Sequence, residues 1–107
     1  SGHASYGWAI GLVLAELAPD RSVPILARAR AFAESRAICG MHNASSVEAG
    51  REAGAAVIAA LHGNDEFRAD MDRARAELAA LRAAATAPDA AACAAETALV
   101  NAPAYPL

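Results

Sequence analysis

Alanine occupies 33 of the 107 positions, and β-branched residues are few. Alanine has the highest intrinsic helix propensity and no bulk to hold helices apart. A chain this rich in it folds as packed helices with close axes, and an all-β fold is excluded. Apolar residues make up 56% of the sequence, so it is not a disordered segment. The length suits one small domain and not two.

Charge and patterning remove further classes. Every one of the nine basic residues is arginine, and the formal net charge is −3. No basic stripe marks a nucleic-acid binder, although one or two arginines can still build a local anion site. No apolar run reaches the ~18 to 20 residues needed to cross a bilayer. The best stretch, Ala9 to Leu17, is short and contains Glu16. No basic start precedes an apolar stretch, so no secretory leader is read in these residues. Cys39 and Cys93 lack metal-ligand spacing, which leaves one bridge or two free buried thiols open.

Periodicity divides the chain into helices. The first is expected over about Ala4–Leu17. There Tyr6, Trp8, Ile10, Val13, Leu14 and Leu17 cover more than one face, which predicts a mostly buried helix. Tyr6, Trp8 and Phe32 are expected in the core. Pro19 and Asp20 end this helix, and a second runs from about Val23 to Ile38, with Asp20 or Ser22 as cap and Gly40 as breaker. A loop over residues 40 to 45 leads to a third helix, about Ser46–His62, with Ser45 or Ser46 as cap and Gly63 as stop. Its Gly50 and Gly54, four apart, predict close approach of a neighbouring helix. A fourth, amphipathic helix is expected over Asp65–Ala84, capped by Asn64, with Phe67, Met71, Ala74, Leu78 and Leu81 on its inner face. Residues 85–107 read as an alanine- and proline-rich tail after a domain of residues 1–84, with a short helix near Ala90–Leu99 and a loose end around Pro103 and Pro106.

Two clusters carry chemistry. Ser1-Gly2-His3 stands at a helix start, where free N–H groups and the dipole favour an anion. A hydroxyl, a glycine that admits close backbone approach and an imidazole suit a phosphate, although taken alone the tripeptide reads first as a plain helix cap. The second cluster is Ser35-Arg36, five residues, then His42, at a helix–loop–helix turn. Arginine's planar fork matches phosphate oxygens, and a neutral imidazole can attack phosphorus. His62 reads as a helix C-terminal residue favoured by the dipole, and Arg51 as a salt-bridge partner of Glu48 or Glu52.

Together these clusters resemble the C-terminal half of the bacterial class A non-specific acid phosphatases, of the type 2 phosphatidic acid phosphatase and vanadium haloperoxidase superfamily. The resemblance runs from Ser1 to about Leu81. It takes in Ser1-Gly2-His3, Gly7-Trp8-Ala9 and Leu12-Val13-Leu14-Ala15-Glu16. It continues through Ser35-Arg36-Ala37-Ile38-Cys39-Gly40-Met41-His42, Val47-Glu48-Ala49-Gly50-Arg51 and Ala59-Ala60-Leu61-His62.

The resemblance implies an all-α helical bundle, the C-terminal portion of the phosphatase and haloperoxidase type of fold. It implies hydrolysis of phosphate monoesters at acidic pH with no metal or other cofactor. Ser1 and the Gly2 N–H would hold phosphate oxygens, and Arg36 would neutralise them. His3 would protonate the leaving alcohol, and His42 would be the nucleophile. The family's location implies the periplasm or secretion. Implied partners are a phosphate monoester or inorganic phosphate, with no nucleic acid and no membrane span; a homo-oligomer is left open. The family motif has a first part, lysine, six residues, Arg-Pro, which this sequence lacks, as it lacks the proline before Ser1. Its last part, Ser-Arg-x5-His-x3-Asp, has Ser46 in place of Asp. The chain is therefore expected to be a C-terminal piece that needs the N-terminal portion for full activity. A vanadate-dependent oxidase and a non-catalytic helical relative are the competing readings.

Overall fold

The computed structural model describes residues 1–102, and Pro103 and Pro106, read above as a loose end, lie outside them. Among the described residues there are five α-helices and no strand. They are α1 (Gly2–Leu17), α2 (Ser22–Ile38), α3 (Ala44–Leu61), α4 (Asp65–Ala84) and α5 (Ala90–Asn101), with a 3-10 turn over Pro19–Arg21 before α2. The all-α bundle read from the sequence is the fold observed.

Small residues set the packing. α1 is the central element, crossed by α2 on one side and α3 on the other. Gly50 lies so close to α1 that a Cβ there would meet the Ser1 carbonyl oxygen at 2.5 Å, and one at Gly54 would meet the Ser5 carbonyl at 2.5 Å. The close approach expected of this pair is therefore real, and its target is the backbone of α1. A second pair, which the sequence reading passed over, does the same on the other side. Gly7 lies against the Phe32 ring and Gly11 against the Ala29 methyl. Ala4, Ala33 and Val47, each fully buried, are where the three helices meet, with Ala37 packed on them.

Several expectations need correction. α1 is not mostly buried: only Ala4 and Gly11 are. Tyr6 is 70% exposed, Ile10 40% and Leu14 43%, and Trp8 and Phe32 are half-buried. Tyr6, Ile10 and Leu14 instead face a trough of about 560 Å³ whose other wall is Pro24, Ile25 and Phe32 of α2. α2 has neither expected cap. Its N-cap is Arg21, without a side-chain bond, because the Asp20 carboxylate is taken by Arg82 of α4 at 2.6 and 2.9 Å. α3 starts earlier than expected. Its cap is Asn43, not Ser45 or Ser46, since Asn43 has extended backbone and its Oδ1 accepts from Ser46 N at 2.9 Å. α3 ends without a left-handed Gly63; the Gly63 N–H instead reaches back to the Ala60 carbonyl at 3.1 Å.

α4 has the limits and the Asn64 cap read from sequence. Met71 is its buried residue, and Leu81, expected inside, is 61% exposed. α5 is two residues longer than expected at its C-terminus and is held to α2 by the Arg28–Glu96 ion pair. Both cysteines are free and exposed, so neither the bridge nor the burial considered for them is present. No helix among the described residues is long and apolar enough to cross a membrane.

Candidate functional site

The two sequence clusters meet at one end of the bundle, above the Ala4–Ala33–Val47 core. Ser1 is the N-cap of α1, and its Oγ accepts from Ala4 N at 3.2 Å. The capping role is thus the one the structure shows, and among the described residues no acceptor takes the Ser1 hydroxyl proton. Gly2 and His3 occupy the first turn, where helical N–H groups have no partner within the helix. The space around Gly2 is open: a Cβ there would meet nothing within 4 Å. The Ser1 nitrogen donates to the Ser46 carbonyl at 2.9 Å, which joins the start of α1 to the start of α3.

The spacing between Arg36 and His42 has a backbone explanation. α2 ends with Cys39 as C-cap and Gly40 in the left-handed region, φ +74°. The Gly40 N–H donates to the Ala37 carbonyl and the Met41 N–H to the Arg36 carbonyl, both at 3.0 Å. That is the Schellman arrangement, which satisfies orphan carbonyls and turns the chain back on itself. The His42 N–H adds a third bond, again to the Arg36 carbonyl at 3.0 Å. Five intervening residues are what this turn requires to bring His42 back beside Arg36.

His3 and His42, 39 positions apart, have ring centroids 6.5 Å from each other, with the planes tilted by 60°. His3 is exposed and His42 half-buried. The Arg36 guanidinium is steered by its neighbours: its carbon lies 5.8 Å from the Phe32 ring centroid, its Nε donates to Ser35 Oγ at 3.3 Å, and Nη2 lies 3.9 Å from Cys39 Sγ. Ser35 in turn donates to the Phe32 carbonyl at 2.6 Å. His3 and His42 are thus brought together at the start of α1, with Ser1 and Gly2 beside His3, while the contacts of the Arg36 guanidinium are with α2 and its C-cap.

Ser46 is not turned to His42. Its Oγ donates to the Asn43 carbonyl at 3.0 Å. Among the described residues no side chain is hydrogen-bonded to the His42 ring. Glu48 is held by Arg51 Nη1 at 2.9 Å, the first of the two partners read for that arginine. Arg51 also stacks on the Trp8 ring, 4.3 Å from its centroid, a contact the sequence reading did not foresee. No group of three or more potential metal ligands exists among the described residues.

Known proteins share this stretch of sequence. Over 75 residues, 70% of the chain, it is 49% identical to an acid phosphatase of Zymomonas mobilis. Over the same length it is 42% identical to a non-specific acid phosphatase of Providencia stuartii and 41% to one of Salmonella typhimurium. The chain spans 28 to 30% of the length of these relatives. No family model matches it, and no solved structure matches it significantly.

Proposed function

The chain is homologous to the C-terminal part of bacterial non-specific acid phosphatases, and on that footing we propose that it carries most of a phosphomonoesterase site working through a phosphohistidine. The observation that carries the reading is the convergence of His3 and His42, 6.5 Å between ring centroids, beside the backbone turn that holds Arg36. At that spacing two imidazoles can contact different oxygens, or the phosphorus and the leaving oxygen, of one tetrahedral ester.

Each group then has one task. The Ser1 hydroxyl proton and the Gly2 N–H bind non-bridging oxygens, with the helix dipole favouring their charge. Arg36 balances the charge that remains. Neutral His42 attacks phosphorus as the P–O bond to the alcohol breaks, and protonated His3 gives its proton to the departing oxygen. Water then attacks the phosphohistidine. His3 takes the proton from that water, and the His42 nitrogen leaves as inorganic phosphate forms. A protonated acid and a neutral nucleophile of the same residue type suit mildly acidic conditions. The scheme uses charge stabilisation by fixed donors and calls for no metal. The location that goes with it is the periplasm or the extracellular space.

One guanidinium leaves much of the phosphate charge uncompensated. The site is therefore completed by a further basic segment of the kind the family motif names, lysine, six residues, Arg-Pro, which this sequence lacks. The test compares two proteins: the 107-residue chain, and that chain fused behind the unmatched N-terminal part of the Zymomonas mobilis relative. The fusion should release phosphate from an aryl phosphate and trap acid-labile label on His42, with His42→Ala abolishing both. Turnover by the short chain equal to that of the fusion would refute the need for completion. A fusion that neither turns over nor labels would favour the non-catalytic reading, towards which the orientation of Ser46 points. Halide oxidation with vanadate in place of phosphate release would favour the oxidase.

A further inference from the structure

Two of the stretches that resemble the phosphatases contribute nothing to the site: the one ending in Glu16 and the one ending in His62. They meet at the opposite end of the bundle. His62 Nε2 lies 2.8 and 3.0 Å from the two Glu16 carboxylate oxygens, and His62 Nδ1 lies 2.7 Å from the Ile58 carbonyl oxygen. Both ring nitrogens therefore face acceptors only. A neutral imidazole has one N–H and must present a lone pair to one of those oxygens; the imidazolium donates to both.

We propose that the His62–Glu16 contact is an acid-tightened clasp, which fastens the C-terminal ends of α1 and α3 and seats the first turns of α4 on them. The link to α4 runs through the same residue. The ring of Phe67 packs edge-on against the imidazole at 5.3 Å, and Arg68 Nη1 donates to the His62 carbonyl. The buried residue of α4, Met71, lies one turn beyond Phe67. The groups facing His62 are thus Glu16 from α1, the Ile58 carbonyl from α3, and Phe67 and Arg68 from α4. The Ile58 carbonyl first, then the Glu16 carboxylate, raise the His62 pKa above the ordinary histidine value, against desolvation of the ring and, less, the Arg68 charge. Because the folded value lies above the unfolded one, protonation stabilises the fold fully below the unfolded value. That contribution is lost as pH rises through the folded value. The clasp is independent of the proposed phosphatase chemistry.

The experiment follows the histidine ring signals by NMR in the 107-residue chain, folded and unfolded in urea. His62 should titrate at higher pH when folded, and Glu16→Gln should move its midpoint back towards the unfolded one. Amide protection over Phe67–Met71, relative to protection in the middle of α2, should fall between about pH 5 and about pH 8. In Glu16→Gln, and in the second variant His62→Asn, that change should vanish. Equal midpoints for His62 in folded and unfolded chains would overturn the clasp without any variant. Unchanged protection of α4 across the same interval would overturn its seating role.

Discussion

The main-chain N–H of His42 donates to the carbonyl of Arg36 at 3.0 Å, the same carbonyl that the Met41 N–H uses to close α2. The position of one proposed catalytic residue is thus written into the way the preceding helix ends.

Gly40 is the pivot of that ending, at φ +74° with open space where a side chain would stand. Replacing Gly40 by Ala meets no neighbour but holds an L-residue in the left-handed region, which costs about 1 kcal/mol. The urea midpoint should fall by a corresponding amount, and in the active fusion His42 labelling should slow.

Gly54→Ala tests the other geometric constraint. Its Cβ would sit 2.5 Å from the Ser5 carbonyl, so α1 and α3 must move apart, at a cost of about 1–3 kcal/mol. Gly2→Ala, with nothing nearby, should leave stability unchanged or slightly higher. Denaturant melts of the two variants side by side decide the matter.

Arg51 lies 4.3 Å from the centroid of Trp8, the single tryptophan of the chain. With its side chain 21% exposed, the guanidinium shields that ring from water. Arg51→Ala should shift the tryptophan emission to longer wavelength and destabilise the fold by about 1 kcal/mol. An unchanged spectrum would count against the stacking.

Ser46 stands third in α3 after the Asn43 cap, where an acidic side chain complements the helix dipole. Ser46→Asp should raise stability by about 0.5 kcal/mol. In the fusion it should raise kcat about 10-fold, through a carboxylate that orients His42. A gain in stability without a gain in kcat or a moved pH profile would mean that another group already orients the imidazole.

Asp20 responds to acid in the opposite sense to His62. The hydrogen bond from Arg82 holds the Asp20 carboxyl below its usual range. Stability from this exposed pair is present above the unfolded carboxyl value and is lost as pH falls through the folded one. Salt should weaken it. An Arg82→Met variant should show less loss of Tm on acidification than the parent, with the difference shrinking in high salt.

Local pattern carried most of the fold. The limits of α4 follow from a cap and an apolar stripe, and the Gly50–Gly54 spacing foretold a close helix pair. What failed was non-local. Tyr6, Ile10 and Leu14 have the pattern of buried residues, yet hydrophobicity states only what surface could be covered and not what covers it. Asn43, Ser45 and Ser46 are all good caps, and backbone conformation alone chooses among them. The residues of the proposed site were legible as two motifs in a fixed order. Their convergence depends on two glycine pairs that let α1 sink between its neighbours, and the Gly7–Gly11 pair left no mark in an apolar stretch. The meeting of Glu16 with His62 joins residues 46 positions apart, with no periodicity to announce it.

Two ionic contacts bear on α4: the His62–Glu16 pair, on which its Phe67 and Arg68 rest, and its own Arg82 with Asp20 near its end. One is undone by removing protons and the other by adding them. The helix is therefore moored at both ends only over an intermediate band of acidity. Beyond the alkaline edge of that band the helix is held from its Arg82 end alone, so alkali would bare the surface under its first turns before that under its last.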